Sequence, residues 1–251
     1  MTVTRAEICA VACADAWRDS GEVLAHAVGV VPTIGARLAR LTHNPDLVLS
    51  DGEAFLLAGP PPAGATAEDG GVIEGWIPFG RIFDIVASGR RHSMMGASQL
   101  DRYGNQNISL IGDWRRPKRQ LIGVRGAPGN TVNHRTDYWV PRHSVKVFVD
   151  RVDVVCGVGH DRARAGGAGR FHDLGVVITD LAVLDYDAAG RLRLRSAHPG
   201  VAVADVVRNT GFELDTTGAT TTRLPTAEEL RLIREVLDPA GSRDQEVRPS
   251  S

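Results

Sequence analysis

The stretch from Val23 to Ser50, VLAHAVGVVPTIGARLARLTHNPDLVLS, limits the fold more than any other part of the chain. Val23 to Val28 is an apolar run of strand length, Gly29-Val30-Val31-Pro32 has the residues of a turn, and Thr33 to Leu41 places apolar residues at helical spacing. Asp46 to Ser50 reads as a second strand. Strand, short crossover helix and strand form a βαβ unit, which requires two parallel strands in one sheet. In such sheets the functional loops lie at the carboxyl ends of the strands. Those ends are Gly29 to Pro32 and Ser50-Asp51-Gly52-Glu53, so both are candidates for the rim of a site.

The rest of the chain fits an α/β protein with an open, mostly parallel sheet and helices on both faces. Thr4 and Glu7 have capping-box spacing, which predicts a helix over 4–18 with Cys9 and Cys13 as small core residues. Residues 59–71, GPPPAGATAEDGG, read as a surface loop. Strands are expected at Val145 to Val149, Val152 to Cys156, Gly175 to Thr179 and Leu181 to Asp185, with a hairpin connection over Tyr186 to Arg191. Pro225, Thr226 and Glu229 mark the start of a last helix, whose apolar face is Leu230, Ile233, Val236 and Leu237. One domain over 1–239 and a disordered tail over 240–251 are expected.

Charge excludes several kinds of partner. Twenty-nine basic and thirty acidic side chains leave a net charge of -1, so no overall field attracts nucleic acid or an anionic membrane. An anionic ligand needs a local site. Cys9, Cys13 and Cys156 are too few and too scattered for a disulfide framework, and no second cysteine pair or histidine pair completes a zinc site, so no metal is expected. The start of the chain lacks the pattern of a signal peptide, and no apolar run reaches membrane-spanning length; the expectation is a cytoplasmic protein.

GxSxG, P-loop, GxGxxG and HExxH motifs are all missing. What the chain has instead is glycine and amide loops: Gly96-Ala97-Ser98-Gln99, Gly104-Asn105-Gln106-Asn107 and Gly126-Ala127-Pro128-Gly129-Asn130. Glycine lets backbone N–H groups approach a developing oxyanion, and amide side chains orient a carbonyl without adding charge. Taken singly, each loop reads as a turn; three within 35 residues point to a site.

GASQLDRYGNQN at 96–107 resembles the glycine, glutamine, aspartate and Gly-Asn signature of class I CoA-transferase β subunits. GVVITDLAVLDYDAAGRLRL at 175–194, followed by AHPGVAVADVVRNTGFEL at 197–214, is similar to the C-terminal signature of the same subunits. Gly29 to Pro32 matches their early Gly-x-x-Pro turn, and the resemblance spans residues 4 to 237 in the right order. It implies the CoA-transferase fold and a cleft shared with a separate α subunit, in a heterodimer or a tetramer of two such pairs. Transferases of this class carry a thioester-forming glutamate in the turn after an early strand. Here that turn is Ser50-Asp51-Gly52-Glu53-Ala54, with Ser50 or Asp51 at the expected position and Glu53 slightly late.

The Asp-Gly-Glu-Ala turn and the loop GAPGNTVNH at 126–134 resemble a branch of the family that hydrolyses rather than transfers. That branch opens a ring of a steroid-derived CoA thioester in bacterial cholesterol catabolism, with its catalytic base contributed by the α subunit. The resemblance implies no cofactor beyond the coenzyme A of the substrate. It also suggests roles: backbone donors at Gly96, Gly126 and Gly129 for oxyanions, and Gln99, Asp101, Asn105, Asn130 and His134 for binding substrate. Arg90 or Arg91 is a candidate for pairing with a substrate carboxylate, and Glu53 for an acid. Trp114 to Arg119 is basic with one aromatic and reads first as a solvated loop, with a CoA phosphate as its other use. The rival readings are a true acyl-CoA:carboxylate CoA-transferase and a subunit that only completes its partner's fold.

Overall fold

The computed structural model describes residues 2–51, 54–63 and 71–247, so Glu53 and most of the loop over 59–71 lie outside the described residues. The chain forms two compact units, residues 1–95 with 222–251, and residues 96–221.

The first unit begins with α1, Arg5–Ala16, closed at its start by the predicted capping box: Glu7 N–H donates to Thr4 Oγ1, and Thr4 N–H to the Glu7 carboxylate. The buried side of α1 includes Ala6, Cys9, Ala10, Cys13 and Ala14, all small. Small residues allow a close approach by α2, Val30–Thr42, whose Gly35 sits directly against Cys13 and the backbone of Ala10 and Ala14. Between these helices runs β1, Leu24–Ala27. Strands β2 (Leu49–Ser50), β3 (Phe55–Leu57) and β4 (Ile73–Trp76) form a small antiparallel sheet. After α3, Arg81–Ser88, strand β5, Arg91–Gly96, pairs parallel with β1, Leu24 opposite Arg91 and Ala27 opposite Met94. Val48 bridges Leu24 in parallel, so the βαβ reading holds. The strands are shorter than expected and the helix starts earlier: Val30, Val31 and Pro32 form the first turn of α2 rather than a separate turn. Proline is tolerated there because first-turn N–H groups have no intrahelical acceptor.

The second unit opens with a short antiparallel pair, β6 (Gln99–Leu100) and β7 (Gln106–Asn107), and then a hairpin of β8 (Leu110–Asp113) and β9 (Arg116–Gln120). Helix α4, Ala127–Asn133, leads into β10, Arg135–Val140. Helix α5, His160–Ala165, precedes β11, Asp173–Thr179, which pairs parallel with β10. β12 (Ala182–Tyr186) and β13 (Leu192–Ala197) make the predicted hairpin, turning at Gly190 with φ of 77°. Helix α6, Val203–Arg208, and β14, Thr220–Thr221, parallel to β13, complete the unit. Tyr138, Trp139, Ile178, Leu184 and Leu194 are fully buried in its core.

Two expected strands are absent. Residues 145–149 form a turn in which Val147 and Phe148 N–H both donate to Ser144 O, and only Phe148 bridges a strand residue, Leu100. Residues 152–156 are likewise irregular. Both runs are rich in β-branched residues, but their backbone groups bond locally or to the neighbouring loop, and tertiary context overrides propensity.

The chain returns to the first unit through α7, Ala227–Arg231, again with a capping box, Thr226 with Glu229. A π-helical segment, Leu232–Leu237, continues it, and α8, Arg243–Glu246, follows. The expected disordered tail is therefore ordered through Val247, which is buried. Charge pairing explains the order. Buried Glu7 accepts from Arg234 at 2.6 and 2.9 Å and from Arg243 at 3.2 Å, and Arg243 also pairs with buried Asp238 at 2.8 Å. Glu246 then accepts from Val31 N–H at 2.7 Å, capping the start of α2 from 215 residues away. Among the described residues no helix is long and apolar enough to cross a membrane.

Candidate functional site

A cleft of about 330 Å³ opens in the first unit at the carboxyl ends of β1 and β2. Gly29 of the first expected rim and Ser50 and Asp51 of the second line it, with Val28 beside Gly29; Val30, Val31 and Pro32 do not. His26 of β1 and Thr33 and Arg37 of α2 complete the polar lining, with Ala36 of α2 between them. Spacing accounts for the helix residues, because positions i, i+3 and i+4 share one face. Gly29 adopts φ of 118°, a left-handed conformation that favours glycine, and this lets the chain turn from β1 straight into α2.

Each polar group is held in place. His26 Nδ1 lies 3.5 Å from Ser93 Oγ on β5. Thr33 Oγ1 donates to Gly29 O at 2.7 Å. Asp51 Oδ1 accepts from Ala54 N–H at 3.0 Å and Phe55 N–H at 3.2 Å, so its carboxylate caps the turn between β2 and β3. Arg37 is 6% exposed, and its Nη1 donates to the neutral carbonyls of Pro61 and Pro62 at 2.8 and 2.6 Å. Burial lowers its pKa. The cleft therefore combines an imidazole, two hydroxyls, a carboxylate fixed by its own turn and a buried cation hydrogen-bonded to carbonyls. Such a lining can donate hydrogen bonds to a carbonyl and stabilise negative charge that develops on it.

The sequence-predicted residues fall in other places. Arg90 is exposed and pairs with Glu22 at 3.3 Å, while Arg91 is buried at the start of β5, where burial lowers its pKa to about 10. Parallel register explains why neither lines the cleft: Arg91 stands opposite Leu24, at the amino end of β1, and the cleft is at the carboxyl end.

In the second unit, GASQLDRYGNQN builds a buried amide network. Asp101 Oδ1 accepts from Tyr103 and Asn105 N–H, at 2.9 and 3.1 Å, and its Oδ2 from Asn105 Nδ2 at 2.9 Å. Burial raises the Asp101 pKa against these bonds. Asn105 Nδ2 also donates to Asp161, and its Oδ1 accepts from Gly159 N–H at 2.8 Å. Gln99 donates to Asp153 and accepts from Asn107 Nδ2 and Asp153 N–H. The polar atoms assigned to substrate on Gln99, Asp101 and Asn105 are thus engaged in holding loops 96–113 and 150–161 together. Gly96 remains open, with no atom within contact distance of the space a side chain would fill.

Gly126 caps α4, Gly129 accepts from Asn133 within it, and Asn130 and His134 are buried. His134 Nδ1 lies 2.9 Å from Arg135 O. The loops 96–107 and 126–134 both reach Gly157-Val158: Gln106 N–H donates to Gly157 O at 3.0 Å, and Val158 N–H donates to Thr131 Oγ1 at 3.0 Å. His26, Thr33 and Arg37 are the lining residues the sequence reading missed. A histidine near the end of an otherwise apolar strand, and polar residues at i and i+4 on the next helix, were the available signals. Among the described residues no group of three or more His, Cys, Asp or Glu side chains is arranged to hold a metal ion.

Parallel strand pairs and a cleft at the carboxyl ends of β1 and β2 define an α/β protein of the open-sheet class. Residues 10–209 match the family model described as Coenzyme A transferase, and the chain belongs to that family. It is 54% identical to the cholesterol ring-cleaving hydrolase IpdB subunit of Rhodococcus jostii (strain RHA1), over 98% of this chain and 96% of that one. The crystal structure of Rhodococcus jostii RHA1 IpdAB matches with a TM-score of 0.94 at 53% identity, covering 98% of this chain and 99% of that chain. Glutaconate coenzyme A-transferase from Acidaminococcus fermentans matches with a TM-score of 0.84 at 26% identity, covering 95% and 96%.

Proposed function

We propose that this chain is the β subunit of a heteromeric hydrolase that opens a ring of a steroid-derived CoA thioester by cleaving a carbon–carbon bond with water. The observation that carries this reading is the turn after β2. Ser50 stands at the strand end, and Asp51 spends its Oδ1 on two backbone N–H groups of the turn. A thioester-forming carboxylate must instead reach the acyl carbon, and a displacement of about 1 Å costs on the order of a hundredfold in rate. Similarity to the ring-cleaving IpdB subunit is also greater than to the transferase structure.

The reaction follows from the chemistry of a ring ketone β to a thioester. Water, deprotonated by a base from the α subunit, adds to the ketone carbon and leaves an oxyanion. Collapse of that oxyanion forms a carboxylic acid and breaks the bond to the carbon next to the thioester. The electron pair passes into the thioester as an enolate, and a proton returns to carbon. One water is consumed, the ring is open and coenzyme A stays attached. Coenzyme A enters as part of the substrate, and the steps as written call on no separate cofactor. In this chain His26 and Ser50 bind and polarise carbonyl oxygens, and the fixed charge of Arg37 favours the oxyanion and enolate.

An α-subunit partner also accounts for an apolar surface. Trp76 is 64% exposed and Phe79 84%, and Val72, Ile73 and Phe83 near them in sequence are exposed too. Exposed apolar patches of this kind mark interaction sites.

Borohydride or hydroxylamine trapping of the complex during turnover separates hydrolase from transferase. No covalent label on this chain is expected; a label on Asp51 or Glu53 would establish the transferase reaction. His26→Ala distinguishes a working cleft from a purely structural subunit, since turnover in an intact complex should fall by about tenfold or more.

A further inference from the structure

Residues 114–125, Trp-Arg-Arg-Pro-Lys-Arg-Gln-Leu-Ile-Gly-Val-Arg, carry five cations and no acid. They begin at the tip of the β8–β9 hairpin, and every residue of β9 is exposed. Several cations elsewhere in the same unit are paired: Arg102 with Asp150, Arg135 with Asp173, Arg191 with Asp187 and Arg193 with Asp185. Among the described residues Arg115, Arg116, Lys118, Arg119 and Arg125 have no such partner. Asp113, the acid next to them in sequence, accepts from the backbone N–H of Arg115 and Arg116 and so caps the hairpin turn. Trp114 is 66% exposed at the same tip. In a chain of net charge -1, this is a local positive field with an aromatic face beside it.

The hairpin is also braced. Gly112 N–H donates to Asp153 at 2.8 Å, and the same carboxylate oxygen accepts from Gln99 Nε2 at 3.0 Å. Asn107 Nδ2 donates to Leu110 O at 2.7 Å, and Ser109 O accepts from Gln120 Nε2 and from Leu121 N–H. The amide network of GASQLDRYGNQN therefore holds the base of the hairpin. Opposite Gly112, whose φ is 94°, a bulge leaves Lys118 as an extra residue between Pro117 and Arg119. A bulge breaks strict alternation of side chains, so Lys118 and Arg119 are not bound to opposite faces.

We propose that this hairpin binds the nucleotide end of coenzyme A, with Trp114 stacking on adenine and Arg115, Arg116, Lys118 and Arg119 holding the 3′-phosphate and diphosphate. It rests on the reading above that the substrate is a CoA thioester. Arginine and lysine hydrogen-bond phosphate oxygens with charge assistance, and adenine stacks on an exposed indole. A braced hairpin loses less freedom on binding than a loose one. Nucleic acid fits less well, because one aromatic and one hairpin give no track for a polymer.

The test uses the complex with its α subunit and adenosine 3′,5′-bisphosphate, which lacks the acyl group. Calorimetry should detect binding, and combined Arg116→Ala, Lys118→Ala and Arg119→Ala should weaken it by at least about tenfold. In turnover the same variant should raise KM for the CoA thioester by a similar factor, with kcat within about twofold, since lost binding far from the reacting atoms acts on KM. The pantetheine thioester of the same acyl group, which has no nucleotide, should be turned over alike by both proteins. Unchanged nucleotide affinity in the variant would overturn the proposal. So would dissociation of the variant complex in sedimentation, which would make the hairpin an α-subunit contact. Nucleotide binding through the hairpin without ring opening by the unaltered complex would support this site and overturn the proposed reaction.

Discussion

Asn105→Ala separates a structural amide network from a substrate-binding one. The Asn105 side chain is 1% exposed and makes three hydrogen bonds, to Asp101 Oδ2, to Asp161 Oδ1 and from Gly159 N–H. Truncation leaves Asp101 Oδ2 and Gly159 N–H buried and unmet, while half-buried Asp161 can turn to water. An unmet buried polar group costs about 1–3 kcal/mol, so the two together should remove about 2–6 kcal/mol of stability. Water entering the space left by the amide moves the value toward the lower end, near about 3 kcal/mol. Urea unfolding of the complex, followed by tryptophan fluorescence, measures this as a lower midpoint with an unchanged slope. Turnover per folded complex, measured at low urea and low temperature, should stay within about threefold. An unchanged midpoint with abolished turnover would refute the reasoning and give Asn105 to the substrate.

Two further predictions concern stability. Burial lowers the pKa of His143, which is neutral between Thr179 and Thr210 and stacked on Phe148, from 6.5 to about 3. The unfolded chain then binds more protons between those values, so the contribution is full above pH 6.5 and declines as pH falls toward 3. His143→Asn should flatten the loss of urea midpoint between pH 7 and pH 5, and an equal slope in both proteins would contradict this assignment. Gly35→Ala would put a methyl group 2.5 Å from Cys13 Cβ and 3.0 Å from Ala10 O, forcing α1 and α2 apart. Thermal melting should show a loss of about 1–3 kcal/mol, and an unchanged melting temperature would mean that the helices separate freely.

The βαβ unit was legible because its signals are local: an apolar run, a glycine turn, a helical period and a second run. Its cleft was legible for the same reason, through Gly29 and Ser50-Asp51 at the strand ends. His26 and Arg37 were not, because nothing in one sequence shows which side of a strand or helix faces an opening. Gln99, Asp101 and Asn105 were found but read toward a ligand. Their partners Asp153, Asp161 and Gly159 are 54 to 56 residues away, beyond any local pattern. The same distance problem made residues 240–247 look frayed, since their order depends on Glu7 and Val31 near the other end of the chain. Val145 to Val149 failed differently: β-branched residues there pack as a turn around buried Phe148.

The most direct measurement of the central claim is product mass. The complex with its α subunit is incubated with a ring-containing, steroid-derived CoA thioester in ¹⁸O-water, alongside an added carboxylic acid. Ring-opening hydrolysis predicts a product with coenzyme A still attached, heavier by one water and carrying one ¹⁸O in its new carboxylate. Coenzyme A transferred to the added acid, with the ring intact and no water gained, would contradict it.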